Sequence, residues 1–201
     1  MSGAGPSVQS DRDVETAARR ERMVAAAVEL ATTGGYDAVQ MRDVAARAEV
    51  ALGTLYRHYP SKDHLLLAAL TEQARALRER IAERPPTGTD AAERTADVLR
   101  RASRALARRP QLTAALVTAL TAPEPDTAES KHEVGVVLHA IITSAIDGAA
   151  VPDPDGVVRT LGYVWLAVLS AWVGGTLATD EMADALETAA GLMLGSPQPR
   201  A

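Results

Sequence analysis

The chain has 201 residues, 47% hydrophobic and 23% charged, the balance of a soluble globular protein with one medium domain or two small ones. It contains no cysteine, which excludes disulfides and thiolate zinc sites and is compatible with a cytoplasmic setting. The net charge of −5 argues at first against nucleic acid, but residues 1–84 balance 12 basic against 12 acidic side chains while residues 85–201 carry 9 against 14.

Phe is absent and aromatics make up 3%, so the core must be built from Leu, Val, Ala and Met at close helix–helix spacing. Ala, Leu, Arg and Glu recur at helical spacing almost throughout, and no strand-period alternation survives, so the fold class is all-α. Residues 1–12 are small and polar, lack the apolar run of a signal peptide, and read as a disordered tail.

The first helix is predicted from Asp13 to Thr33, with Val24, Ala27, Val28 and Ala31 as its apolar stripe and Gly34-Gly35 as its stop. Met41–Ala48 and Ala51–His58 follow as two short helices. Pro60 ends the second of these, because it disfavours helical geometry in the residue before it. Ser61 is then an N-cap, with Asp63 in the first turn, for a long fourth helix through Leu65, Leu66, Leu70, Leu77 and Ile81 to Arg84. Pro85-Pro86-Thr87-Gly88 makes a bend.

A fifth helix runs from a Thr89 or Asp90 cap to Arg109 and a sixth over 111–121. A seventh is capped by Asp126 or Thr127 and reaches about Ala149. The last two span 157–179 and 180–194, before a loose tail at 195–201. The expected division is a helix-turn-helix unit at 13–60 and a larger helical unit at 61–194.

The region 39–70 carries the strongest functional signal. Val44, Ala45 and Ala48 face inward from one short helix, and Val50 and Leu55 from the turn and the next. Ala45 is small enough to let two steeply crossing helices approach. The outward set is Gly53, Thr54, Tyr56, Arg57, His58 and Tyr59, an unusual one for so short a helix. Thr54 suits a base edge or a thymine methyl, Arg57 suits guanine or a phosphate, and the tyrosine hydroxyls suit phosphates. Gly53 has no Cβ and permits close approach of the backbone. Lys62 in the first turn of the fourth helix, Arg42, and the cluster Arg19, Arg20 and Arg22 complete a basic surface.

The run Thr54-Leu-Tyr-Arg-His-Tyr-Pro-Ser-Lys62 with Leu65-Leu66, preceded by Met41-Arg-Asp-Val-Ala-Ala-Arg-Ala48 and Val50-Ala-Leu-Gly53, resembles the signature of the TetR family of transcriptional regulators. The resemblance covers about residues 20–70. It implies a homodimer that places the third helix of each subunit in a major groove of a double-stranded operator. It also implies a small ligand in the second unit that tunes DNA affinity. By it, Arg42, Thr54, Tyr56, Arg57, Tyr59 and Lys62 fall where family members contact DNA. One departure is Glu49, where the turn commonly holds Gly. The phrases Val39-Gln-Met-Arg-Asp-Val44 and Gly53-Thr-Leu-Tyr-Arg57 also resemble the actinobacterial branch that controls sterol and fatty-acid catabolism.

In the second unit, Leu161–Ala178 carries no charge over 18 residues, the lower limit for a membrane helix. It is a single span with three glycines among amphipathic neighbours, so no membrane is expected. A soluble helix apolar all round is expected to be buried all round, against its own subunit and its twin. Trp165, Trp172 and Gly174, with Leu186 and Met193 from the last helix, are the expected dimer interface. Leu70, Leu77, Leu99, Leu106, Leu116, Leu120, Val137, Ile141 and Tyr163 are the candidates for lining a pocket, which favours a flexible, hydrophobic acyl-type effector over a flat stacked one; a steroid-like effector is what the resemblance to the sterol-controlling branch implies.

His132 and His139 stand seven apart, too far for a shared metal on one helix, and Asp153 and Asp155 read as turn and cap residues. No nucleophile–base pair stands at sensible spacing. The expectation is a ligand-responsive DNA-binding repressor with no cofactor, no metal and no enzymatic activity. A DNA-binding regulator without a small-molecule effector is the alternative.

Overall fold

The computed structural model describes residues 7–146, 148, 149 and 151–195. Among them are nine α-helices and no strand. They are α1 (Ser7–Ala38), α2 (Met41–Arg47), α3 (Leu52–His58), α4 (Lys62–Glu83), α5 (Ala91–Ala107), α6 (Pro110–Thr121), α7 (Ala128–Ile146), α8 (Pro154–Val173) and α9 (Thr179–Leu194). A short 3-10 turn, Pro125–Thr127, joins α6 to α7.

The capping chemistry accounts for most boundaries. Ser61, Asp90 and Asp153 each accept a hydrogen bond from the backbone N–H three residues on, opening α4, α5 and α8. Pro110 occupies the first position of α6, where its missing N–H has no cost. Glu181 closes back on the N–H of Ala178 at 2.8 Å to start α9.

Two expected boundaries shift. α1 begins at Ser7, so the second half of the expected tail is helical; residues 1–6 and 196–201 lie outside the described residues. Gly34 and Gly35 do break α1, with Gly35 at φ 69°. α8 ends at Val173, because Gly174 caps it and Gly175 turns left-handed at φ 73°. Gly174 therefore forms the end of α8.

The core falls into three packed clusters. The first joins Met23, Val24, Ala27, Val44, Ala45 and Leu55 to Leu65–Leu67 of α4 and to Leu112 and Leu116 of α6. The second packs α5, α8, α9 and the end of α7 around Leu99, Ile142, Leu161, Trp165 and Leu186. The third is a seam of Ala74, Ile81, Val98, Val137 and Ile141 between α4, α5 and α7. Because α6 packs extensively against α1, the N-terminal unit is not closed at residue 60; its core borrows α4 and α6.

α8 is long and apolar enough to cross a membrane, alone in this among the described residues. Within the chain it buries one face, Val158, Leu161, Trp165 and Leu169, and leaves the opposite face open, with Tyr163 66% exposed. The buried face packs against its own subunit as expected, and the open face is the one expected to meet the twin.

Candidate nucleic-acid interface

α2 and α3 cross over a small apolar contact. Val44 and Leu55 have no exposure and Ala45 and Ala48 almost none, so α2 is seated on α1, and α3 on α2, by their inner faces. The turn between them closes when the Val50 N–H donates to the Ala45 carbonyl at 3.0 Å. That closure puts Glu49 at φ 55°, alone among the described non-glycine residues in the left-handed region. The Arg22 guanidinium donates to the Ala48 carbonyl at 3.3 Å, stapling α1 to the end of α2. Arg22 is therefore occupied structurally, and Arg19 pairs with Glu15 at 2.6 Å.

With Leu55 pinned inside, the helical period turns Tyr56 and Arg57 outward; Tyr56 is 47% exposed. Gly53 is exposed, Thr54 and His58 are half-buried, and Arg42 is exposed on α2. A Cβ built on Gly53 would meet no atom within 4 Å and its φ is not positive, so nothing inside the fold requires glycine there. Tyr59 is a correction. It follows the last turn of α3 in extended geometry and is 8% exposed, packed into the first core cluster instead of standing on the outer face.

Charge around this surface is shaped by burial and by the arginines. Partial burial, then the charges of Arg20, Arg57 and Arg19, hold His58 below the usual histidine range. Burial pushes the Tyr59 phenol up, with Glu72 adding to it and Arg20 opposing. A polar cleft of about 350 Å³ runs behind α3, lined by Arg20, His58, Tyr59, His64, Glu72 and Glu133 among others.

Two side chains that the sequence did not flag, Tyr36 and His64, organise the start of α4. Tyr36 donates from its hydroxyl to Asp63 Oδ1 at 2.7 Å, and the Lys62 ammonium stands 3.7 Å from the centre of its ring. His64 bridges Ser61 Oγ at 2.9 Å and the Asp126 carbonyl at 3.0 Å, tying the first turn of α4 to the connection before α7.

The matches to known proteins follow this geometry. Residues 23–69 match the family of bacterial regulatory proteins, tetR family, and residues 88–193 match the tetracyclin repressor-like C-terminal domain. The chain belongs to the TetR family. It is a DNA-binding regulator of transcription and not an enzyme. It is 38% identical to the HTH-type transcriptional repressor KstR of Rhodococcus jostii, over 90% of this chain and 85% of that protein. With the KstR of Mycolicibacterium smegmatis it shares 33% identity over 90% and 89% of the two chains. A TetR transcriptional regulator from Rhodococcus sp. RHA1 superposes with a TM-score of 0.77 at 31% identity, over 89% and 96%. Thermus thermophilus FadR, solved in complex with lauroyl-CoA, gives 0.75 at 25% identity, over 90% and 100%.

The TetR-type C-terminal unit distributes the expected pocket residues over all three clusters. Leu70, Leu116 and Leu120 pack on the first, Leu99 and Leu106 on the second, Val137 and Ile141 on the third, and Leu77 on both of the last two. Tyr163 lines no interior space, since it stands on the open face of α8. A groove of about 430 Å³ with mixed polar and apolar lining lies between α5 and α9 beside Thr87, Asp97, Arg100 and Glu187.

Two expected interface residues are also corrected. Trp165 is 5% exposed and donates from Nε1 to Ser103 Oγ at 3.3 Å, and Leu186 is 1% exposed; both belong to their own subunit's core. Trp172 is half-buried and donates to Thr179 Oγ1 at 3.0 Å, and Met193 is half-buried. Tyr163, two residues from Trp165 and so on the far side of the helix, and Leu192, 82% exposed, are the apolar residues left facing out. A strict reading of the helical period around Trp165 would have found Tyr163.

Proposed function

We propose that the chain is a homodimeric, ligand-responsive repressor of the cytoplasm that sets α3 of each subunit into successive major grooves of its operator. The observation that carries this reading is the split of α3 between a core-locked Leu55 and an outward Gly53, Thr54, Tyr56 and Arg57. Phosphate contacts come from Arg42, His58 and Lys62, and base contacts from Thr54 and Arg57. The open face of α8 supplies the dimer surface around Tyr163 and Gly174.

The effector is of the hydrophobic acyl-thioester class, supported by the 25% identity to the FadR that holds lauroyl-CoA. It enters where the second and third clusters meet, by parting Leu77, Leu99, Leu106, Val137 and Ile141. Leu77 belongs to α4, and α4 also carries Lys62 beside α3. A ligand wedged there tilts α4 and mismatches the two recognition helices to grooves about 34–36 Å apart. A coupling of about 1–3 kcal/mol suffices for a switch.

The second reading, a regulator with no small-molecule effector, draws on the close packing of Leu99, Leu116 and Ile141, each at most 2% exposed. Gel shift on the protein's own upstream DNA across a salt series tests the common part, and absence of a bound fragment at every salt removes it. Thermal shift against acyl-CoAs, fatty acids and sterols separates the two readings. A rise in melting temperature that also releases DNA selects the first, and an unmoved transition across the panel selects the second.

A further inference from the structure

The break at Gly34-Gly35 delivers Tyr36 to the first turn of α4, where it touches two consecutive residues in two different ways. Its hydroxyl donates to Asp63, a carboxylate only 7% exposed, so the ring is pinned from its polar end by a charge-assisted bond. Its face receives the Lys62 ammonium at 3.7 Å. Lysine ordinarily carries a flexible four-carbon stem and loses rotamer freedom on any contact it makes. An ammonium already resting on a fixed ring has lost much of that freedom beforehand. Lys62 is the first residue of α4, directly after the cap Ser61, and the free N–H groups of that turn add positive potential beside it.

We propose that Tyr36 is a positioning residue for DNA binding: its ring, held by Asp63, presents the Lys62 ammonium at the start of α4 in the place where a backbone phosphate meets it. The inference rests on Lys62 being a phosphate contact, as set out above. Asp63 acts one step further back, through Tyr36, and touches no nucleic acid. The conformational cost of ordering the lysine is thereby met on folding instead of on binding.

The test is fluorescence anisotropy of the full chain on a labelled duplex of its own upstream DNA, across a salt series. Lys62→Gln is expected to weaken binding and to flatten the log–log salt dependence by about 0.9 at each subunit's site. Tyr36→Leu is expected to reproduce that flattening with a roughly threefold to tenfold loss of affinity. Tyr36→Phe, which keeps the ring but loses its tie to Asp63, is expected to fall between the wild type and Tyr36→Leu, and Tyr36→Leu combined with Lys62→Gln binds no worse than Lys62→Gln alone. A wild-type slope in Tyr36→Leu, or equal losses in the Phe and Leu variants, overturns the proposal.

An unchanged slope in Lys62→Gln itself overturns the phosphate contact first and the proposal with it, an outcome distinct from failure at Tyr36 alone. Should Tyr36→Leu fail to fold, proton NMR of the unaltered protein decides. The ε-methylene protons of Lys62 are expected upfield of other lysines by the ring current of Tyr36, and ordinary shifts overturn the contact.

Discussion

The outer face of α3 and the outer face of α8 are built by the same device and finished with opposite chemistry. In each, a large side chain is locked into the core (Leu55 in α3, Trp165 in α8) and the helical period then turns neighbouring residues outward. On α3 the outward residues are Tyr56 and Arg57, with a half-buried Thr54 and an exposed Gly53 between them and the core. On α8 they include Tyr163 and Ala167, with a window around them of mean hydropathy 1.5. A hydroxyl- and guanidinium-bearing face gains little by covering itself with protein and much by meeting phosphates and base edges. An apolar face gains by leaving water, which a second copy of the chain permits. On the reading proposed above, one face serves DNA and the other a second copy of the chain.

The largest expected effect comes from attacking the apolar face. Ala167→Glu places a charge at the centre of the proposed dimer surface, and burial of an unpaired charge is prohibitive. The variant is expected to sediment as a folded monomer and to lose operator binding by more than about 100-fold, because two half-sites no longer act together. A dimer of unchanged stability would remove α8 from the interface.

Next is Arg57→Ala on the polar face, expected to weaken operator binding by about 1–3 kcal/mol in anisotropy titrations while leaving the melting temperature alone. A matching loss on unrelated DNA would reassign Arg57 from base reading to phosphate contact.

Gly53 and Glu49 sharpen the contrast between stability and function. Gly53→Ala removes a helix-weakening glycine from a site with open space around it, so the free protein is expected to gain up to about 1 kcal/mol. Operator affinity is expected to fall, because the added methyl occupies the room left for DNA. Glu49→Gly relieves the left-handed turn and is expected to gain about 1 kcal/mol with no change in affinity. Chemical denaturation paired with anisotropy measures both, and a Gly53→Ala protein that binds normally would show that the glycine has no DNA-side reason.

The smallest effect concerns pH. His58 lies below the usual histidine range through burial and through Arg20, Arg57 and Arg19, so it is neutral in the free protein at pH 7. For folding, a depressed histidine means that the unfolded chain binds more protons, and stability falls as the pH drops through the ordinary value of about 6.5. For operator binding the sign reverses, since phosphates oppose the arginines and favour the imidazolium. Affinity is expected to rise modestly as the pH falls from neutral toward the depressed range of His58, and His58→Gln to flatten the profile. Parallel profiles for the two proteins would place His58 away from the duplex.

The helix-turn-helix unit was legible in the sequence because its evidence is local. Pro60, Ser61 and the spacing of Val44, Ala45 and Leu55 fix short helices by rules that act within a few residues. The same locality put Arg57 and Tyr56 outside. Tyr59 escaped it, because it lies beyond the last helical turn, where the period no longer says which way a side chain points. The Tyr36–Lys62–Asp63 arrangement also escaped, since its partners are some 27 residues apart and Tyr36 follows a glycine break whose direction the sequence does not encode. The expected pocket dispersed into three clusters for a related reason. A Leu at helical spacing announces burial and not its neighbours, and in a chain without Phe the Ala-rich helices approach closely enough to pack.

By itself the sequence determined the helical class, the caps and breaks, and the face that α3 turns to solvent, because propensity, capping and period are properties of neighbouring residues. Tertiary structure alone decided that Trp165 and Leu186 look inward while Tyr163 looks out, that α6 completes the core of the N-terminal unit, and that a tyrosine ring lies beneath Lys62. Those outcomes depend on which helices meet, and non-local packing selects among faces that the sequence leaves nearly equivalent.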